Sequence, residues 1–292
     1  MELRVLRYFL TVAREENITK AAEILHITQP TLSRQLMQLE DELETQLFKR
    51  GKSKITLTDD GMLLRRRAEE IIELTDKTER EFSHHEDVLG GEIYIGGGET
   101  QTMKYVAEVI KDFHDQYPLV KFDLHSGNAD DVKEKIDRGL IDIGLLTEPV
   151  DISKYDFVRL PRKDAWGIVM RKDDPLASKP YITAHDLEGK DIMYSKRAIV
   201  QNELLHWFGE SKDQLNNAIT YNLIYNATLL VEVGLGYAIT LERLVNTTED
   251  NQICFKLLEP RLETGTVLVW KKHQVFTPAT TKFIEALKKK FL

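Results

Sequence analysis

Apolar positions in the first fifty residues recur at helical spacing but in short lengths, and over residues 18–48 they predict two short helices joined by a tight turn. Thr19 can cap the first, whose inner face is Ala21, Ala22 and Leu25; the small alanines let a partner helix approach closely. His26-Ile27-Thr28 makes the turn. Thr28 can cap the second helix, and Pro30 fits its first turn, where backbone N–H groups have no helical partner. Leu32, Leu36, Leu39 and Leu43 then fall on one stripe, which defines the core-facing side. The opposite arc carries Thr31, Arg34, Met37 and Gln38, with Gln29, Ser33 and Gln35 beside it. These side chains hydrogen-bond base edges or phosphates, although any amphipathic helical hairpin would also have a polar face.

The next stretch favours the DNA-binding reading. Leu47 and Phe48 lead into Lys49, Arg50, Lys52 and Lys54, and then into Ile55-Thr56-Leu57-Thr58 and Gly61. The pattern predicts a short hairpin, or wing, whose four cations can reach phosphates or a minor groove. Residues 61–89 contain almost no helix breaker. Leu64, Ala68, Ile71, Thr75, Thr78, Phe82, His85 and Leu89 alternate by four and three, which predicts a long helix pairing two subunits. Docking of that helix on its own chain competes, because Thr75, Thr78 and His85 are weak core residues. Gly90-Gly91 ends the segment.

Beyond residue 90, strand and helix patterns alternate: strands over 92–95, 120–125 and 141–146, with helices over 101–117 and 130–138 between them. A second set follows, with strands over 166–171, 191–194 and 218–221 and helices over 201–208 and 227–233. A last strand over 266–270 and a helix from Pro278 close the chain. The order implies parallel strands with helical crossovers, arranged as two small α/β lobes with a cleft between them.

Charge changes this picture once it is divided. The 292 residues carry a formal net charge of −8. Residues 1–67 hold 12 Lys and Arg against 10 Asp and Glu, a net +2, which leaves −10 for the remainder. The acidity lies in the part that need not touch DNA, and there it disfavours non-specific attachment. No apolar run approaches the length needed to cross a bilayer, and Met1-Glu2-Leu3-Arg4 does not open like a signal peptide, so a cytoplasmic location off the membrane is expected. The single Cys254 cannot form an internal disulfide and is read as a small buried apolar residue.

Catalytic motifs are thin. The sequence has no G-x-x-x-x-G-K, G-x-S-x-G or H-E-x-x-H. His84 and His85 are adjacent on a predicted helix and diverge, which argues against a metal site. Asp142 beside Gly139 and Gly144 reads as a loop-holding hydrogen-bond acceptor instead of a catalytic carboxylate. No enzyme activity, metal or cofactor is therefore expected. Ligands of open α/β sheets bind beyond the carboxyl ends of strands, near helix N-termini. There Gly96-Gly97-Gly98-Glu99 leads into Thr100, Gln101 and Thr102, which can serve a small polar or anionic ligand. A plain turn is an equal reading of the three glycines.

Residues 1–61 resemble the winged helix-turn-helix of the LysR-type transcriptional regulators. The matches fall in order: Phe9-x-x-Val12-Ala13, Ala21-Ala22, Thr28-Gln29-Pro30, Leu32-Ser33-Arg34-Gln35, Leu39-Glu40, Leu47-Phe48-Lys49-Arg50 and Leu57-Thr58-x-x-Gly61. Met37 and Gln38 depart from the pattern, standing where members often place basic residues. Further on, Gly139-x-x-Asp142-Ile143-Gly144 and Val233-Gly234-Leu235-Gly236 resemble landmarks of the family's effector domain, although Ile239-Thr240-Leu241-Glu242 replaces a common proline.

The resemblance implies a winged helix-turn-helix over 1–61, a linker and dimerisation helix over 62–89, and an effector-binding domain over 90–292. That domain would fold like type 2 periplasmic binding proteins, with lobe I over 91–161 and 266–292 and lobe II over 162–265. The implied function is a DNA-binding transcriptional regulator controlled by a small-molecule effector. Its implied partners are a two-fold-related promoter site, further copies of the chain as a homodimer or homotetramer, and RNA polymerase.

The family pattern assigns DNA contacts to Gln29, Pro30, Thr31, Ser33, Arg34 and Arg50, to which the local reading adds Thr28, Gln38, Lys52 and Lys54. By family position, Ser126, Asn128, Leu146, Thr147, Tyr194, Ser195, Asn226 and Thr228 join Thr100, Gln101 and Thr102 around the effector. Glu99 opposes an anionic effector, whereas Lys196 and Arg197 favour one, so its charge stays open. A solute-binding protein would need an export signal and would not need residues 1–61. An enzyme with an accessory DNA-binding module would turn over its metabolite.

Overall fold

A computed structural model describes residues 1–50, 54–82, 89–248 and 250–292. Lys52, His84 and His85, and the side chains of Arg50 and Phe82, lie outside the described parts. The chain divides into two compact units, residues 1–83 and 84–292.

The first unit begins with α1 (Leu3–Glu15), α2 (Ile18–Ile24) and α3 (Gln29–Glu42). The helix α2 is capped not by Thr19 but by Asn17, whose side chain accepts from the Lys20 N–H at 3.0 Å. Asn17 has the extended backbone of a cap, and the helix already begins at Ile18, so Thr19 lies inside it and cannot cap it. His26 takes a left-handed conformation in the turn, with φ 54°. Thr28 caps α3 by accepting from Thr31 N, and Pro30 sits in the first turn. Leu32, Leu36 and Leu39 are buried against Val5, Leu6, Phe9, Val12, Ala21 and Ala22. Leu43, the fourth residue of the predicted stripe, is instead exposed, because the helix ends there.

The wing is β1 (Phe48–Arg50) paired antiparallel with β2 (Ile55–Leu57), followed by α4 (Asp59–Phe82). Glu40 anchors its start by accepting from Leu47 N at 2.7 Å and Phe48 N at 3.2 Å. A Cβ on Gly61 would lie 2.1 Å from the Leu47 carbonyl oxygen, which accounts for glycine where α4 passes the wing.

The predicted pairing seam on α4 is divided. Leu64 and Ala68 pack into the unit's own core with Ile72, and Arg7 of α1 forms an ion pair with Asp76. That half of the seam belongs to the intrachain contact. Among the described residues, Met62, Leu63, Ile71 and Leu74 are the large apolar side chains of the helix left exposed. A 3.5-residue repeat marks a stripe without saying which of two adjacent stripes faces the helix's own domain.

In the second unit, β3 (Gly91–Gly97), α5 (Met103–Gln116), β4 (Val120–Ser126), α6 (Ala129–Asp137), β5 (Ile143–Thr147) and β6 (Tyr155–Arg159) lead to β7 (Asp164–Arg171). Then follow β8 (Asp191–Ser195), α7 (Ala198–Phe208), β9 (Asn216–Tyr221), α8 (Tyr225–Glu232), β10 (Tyr237–Leu241), β11 (Ile253–Leu257), β12 (Glu263–Thr264), β13 (Thr266–Lys271) and α9 (Pro278–Phe291).

One sheet has the order β4-β3-β5-β13-β6 and the other β11-β7-β10-β8-β9, with β12 beside β7. The expectation of parallel strands holds for β4, β3 and β5, and for β9, β8 and β10. It fails for β13, which runs antiparallel to β5 and β6, and for β7, antiparallel to β10 and β11. The chain crosses between the sheets twice, before β7 and before β13, and a strand that returns from the other lobe enters in the opposite sense. The two crossings touch: Leu160 N donates to Thr266 O at 2.9 Å, and Trp166 N to Leu262 O at 2.9 Å. α9 completes the core of the first sheet, with Phe283 packed edge-on to Phe113 and Phe122.

Asp142 holds its loop, accepting from Tyr94 N at 3.0 Å. Among the described residues no helix is long and apolar enough to cross a membrane, and no group of three or more His, Cys, Asp or Glu could hold a metal ion.

Candidate functional site

The exposed arc of α3 is polar. Thr28, Gln29, Pro30, Thr31, Arg34, Met37 and Gln38 are exposed, and Ser33 and Gln35 are half-buried. Gln29 donates to Ser33 Oγ at 2.9 Å and Gln38 to Glu42 Oε1 at 3.5 Å. Lys54 of the wing forms an ion pair with Glu16 at 2.6 Å and would have to exchange it for a phosphate. A rigid helix that presents hydrogen-bonding side chains beside a cationic hairpin can enter a major groove and rest its flank on the backbone.

In the second unit a cavity of about 90 Å³ lies between the two sheets, and its wall draws on both lobes. Three of the predicted effector residues line it: Asn128, Thr147 and Ser195. Asn128 caps α6, accepting from Asp130 N and Asp131 N, so its place follows from the helix start. The remaining predicted residues sit elsewhere. Leu146 is wholly buried in the core and Tyr194 packs on the second lobe's core. Ser126 and Asn226 are exposed. Thr228 is buried and donates to Tyr225 O at 2.6 Å. Gln101 ties the lobes together, donating to Arg243 O at 2.7 Å.

Thr100 and Thr102 are also buried. They belong to a hydrogen-bonded chain that runs from Asp164, at the first crossing, through Thr100 and Thr102 (2.8 Å apart) to Thr266, at the second (3.0 Å). Burial pushes the Asp164 carboxyl up from its ordinary range, against the opposing pull of the Thr100 hydroxyl and of Arg162 and Arg243, while Glu242 adds to the rise. One of its oxygens has no partner among the described residues. A carboxyl that binds its proton more tightly when folded favours the fold at acid pH and loses that contribution as pH rises through the raised value. Asp164→Asn should therefore melt higher than the parent at pH 7.5, by about 2–4 °C if the gain is about 1 kcal/mol. The difference should shrink towards pH 4 in thermal melts; a constant difference across that range would reject the argument.

Further residues of the cavity wall escaped the sequence reading. Trp166, Leu223, Ile224, Leu241 and Leu244 come from separate strands and turns of the second lobe, and no local spacing marks them as neighbours. Arg197 also lines the cavity. It is buried, and it donates to Pro149 O at 3.1 Å across the cleft.

Residues 86–292 match the model of the LysR substrate binding domain, and residues 3–62 that of the bacterial regulatory helix-turn-helix protein, lysR family. The Hca operon transcriptional activator HcaR of Escherichia coli is 30% identical, over 97% of this chain and 96% of its own. The HTH-type transcriptional regulator YvbU of Bacillus subtilis is 27% identical over 100% of this chain and 99% of its own. Among solved structures, the LysR family regulator CbnR superposes with a TM-score of 0.79 at 20% identity, over all of both chains. CbnR with its target DNA gives 0.76 at 21%, over 99% of each. With a helix-turn-helix reading face and a two-lobed substrate-binding domain in one chain, this protein belongs to the LysR family of DNA-binding transcriptional regulators.

Proposed function

We propose that the protein reads a two-fold-related promoter site in double-stranded DNA as a homodimer or homotetramer, in the cytoplasm and without catalytic activity of its own. A small-molecule effector held between the lobes shifts how the subunits are arranged, and RNA polymerase responds to the altered complex. In this reading residues 1–61 bind DNA, 62–89 pair subunits and 90–292 sense the effector. Thr28, Gln29, Pro30, Thr31, Ser33, Arg34, Gln38, Arg50, Lys52 and Lys54 contact DNA, while Asn128, Thr147 and Ser195 face the effector.

The observation that carries the proposal is the interlobe cavity, which collects polar side chains from both lobes and sits apart in the chain from the reading helix. A ligand there can act on DNA only through a change of global state that it binds better. Exposed apolar surfaces support the oligomer: Ile71 and Leu74 on α4, and Tyr225, Leu229 and Val233 in and just after α8. The last three are spaced by four residues and form one face.

The test is selection of bound sequences from a random DNA pool by the full chain, followed by footprinting. The expected outcome is a site with two related half-sites about one or two helical turns apart. Enrichment of a single unrepeated half-site would reject the paired reading.

A further inference from the structure

The polar groups around the interlobe cavity are unevenly divided between donors and acceptors. Arg197 is 7% exposed. Its guanidinium donates to Thr147 O at 3.4 Å and Pro149 O at 3.1 Å, both neutral, and meets Asp130 Oδ2 at 3.4 Å. The Asp130 side chain is 62% exposed. A hydrated carboxylate at that distance compensates a buried cation only in part.

Arg197 also stands at the start of α7, which has no side-chain cap, whereas α6 is capped by Asn128. At α8 the Ile224 N–H donates to Glu99 at 3.0 Å, so the carboxylate that lines the cavity is already engaged with a helix N-terminus. Trp166, another lining residue, has a buried indole N–H with no acceptor in reach among the described residues, and an indole N–H can only donate. Trp166, Val200, Leu241 and Leu244 give the second lobe's wall an apolar surface.

We propose that the effector is a small organic monoanion, its carboxylate held by Arg197 and the uncapped start of α7, and its apolar body laid against Trp166, Val200, Leu241 and Leu244. This rests on reading the cleft as the effector site. Arg197 is the one cation on the cavity wall among the described residues, and Glu99 keeps its negative charge when it accepts from an N–H, so a second negative charge on the ligand would go unmatched, which favours a monocarboxylate over a phosphate dianion. The uncapped helix start adds backbone N–H donors and the positive end of the helix dipole.

The experiment is thermal melting of the full chain with two matched pairs, phenylacetate against phenylacetamide and isovalerate against isovaleramide, each at about 10 mM. That concentration suits ligands of this size, whose binding is on the order of millimolar. At least one acid should raise the midpoint while its amide does not, because only a ligand of the folded state stabilises it. Arg197→Gln should weaken the acid at least tenfold, and Arg197→Lys, which keeps the charge, should weaken it less. Gly98→Val puts a side chain on the cavity wall at a position where a Cβ meets nothing nearer than 3.6 Å, and should abolish the shift.

Three results overturn the monoanion: no shift with either acid, equal shifts for acid and amide, or undiminished acid binding in a folded Arg197→Gln. If the shift in the second or third case disappears in Gly98→Val, the cleft survives as the ligand site and only the charge class is wrong. An acid-induced shift that persists in Gly98→Val removes the cleft reading itself.

Discussion

Arg34→Ala is expected to cost about 1–3 kcal/mol on the preferred DNA site and far less on random DNA. Arg34 lies on the exposed arc of α3, and among the described residues its guanidinium has no partner to give up. A fork of donors carried by a helix packed through Leu32, Leu36 and Leu39 has a fixed approach to base edges, so its loss falls on particular base pairs. The wing should behave differently. Arg50→Ala, on the strand β1, should weaken every sequence alike and lower the salt slope by about one. Titrations on the selected and a scrambled duplex, over a range of salt, separate the two classes. Equal losses on both duplexes for Arg34→Ala would reject its place on the base edges.

Leu74→Asp and Leu229→Asp are expected to break different assemblies while leaving the monomer's fold intact. Both leucines are already exposed, at 44% and 43%, so a carboxylate in either place is solvated within one chain. In a subunit interface the same carboxylate would be buried without a partner, a cost of about 3 kcal/mol or roughly a hundredfold in association. Leu74→Asp, on α4, should dissociate the pair that holds two reading helices at a common spacing. Leu229→Asp, on α8, should reduce a larger assembly to that pair and leave half-site spacing unchanged. Sedimentation of each variant, with and without DNA, reads the outcome. Unchanged assemblies in both would remove these surfaces from consideration.

The reading helix was legible because its signals are local: a capping threonine, a proline in the first turn and three leucines on one stripe all agree within a dozen residues. Where two neighbouring residues could serve the same purpose, local pattern failed, as at Asn17 and Thr19. The strand β10 was missed for another reason. Tyr237-Ala-Ile-Thr-Leu241 is buried on both faces and lacks the alternation that marks a half-buried strand. The strands β6 and β11, of the same length, carry no clearer signal. The reversed entry of β13 depends on a return from the other lobe, which periodicity does not encode. Of the cleft, the helix-capping Asn128 lay within reach of sequence reasoning, whereas Trp166 and Leu244 meet it only through the sheet order.

The second lobe is inserted within the first, and this sets an order on how the chain can fold as it is made. α9 supplies Phe283, Ile284 and Leu287 to the core that also holds Val106, Phe113 and Val120. The whole of the second sheet is translated between them. At about 5–20 residues per second, the backs of β3 and β4 wait on the order of ten seconds for their covering helix. The second lobe waits for nothing comparable, since β7 through β11 emerge in one run. The lobe encoded first is thus the last to close, and its uncovered apolar strands are the part of a nascent chain that a chaperone would find.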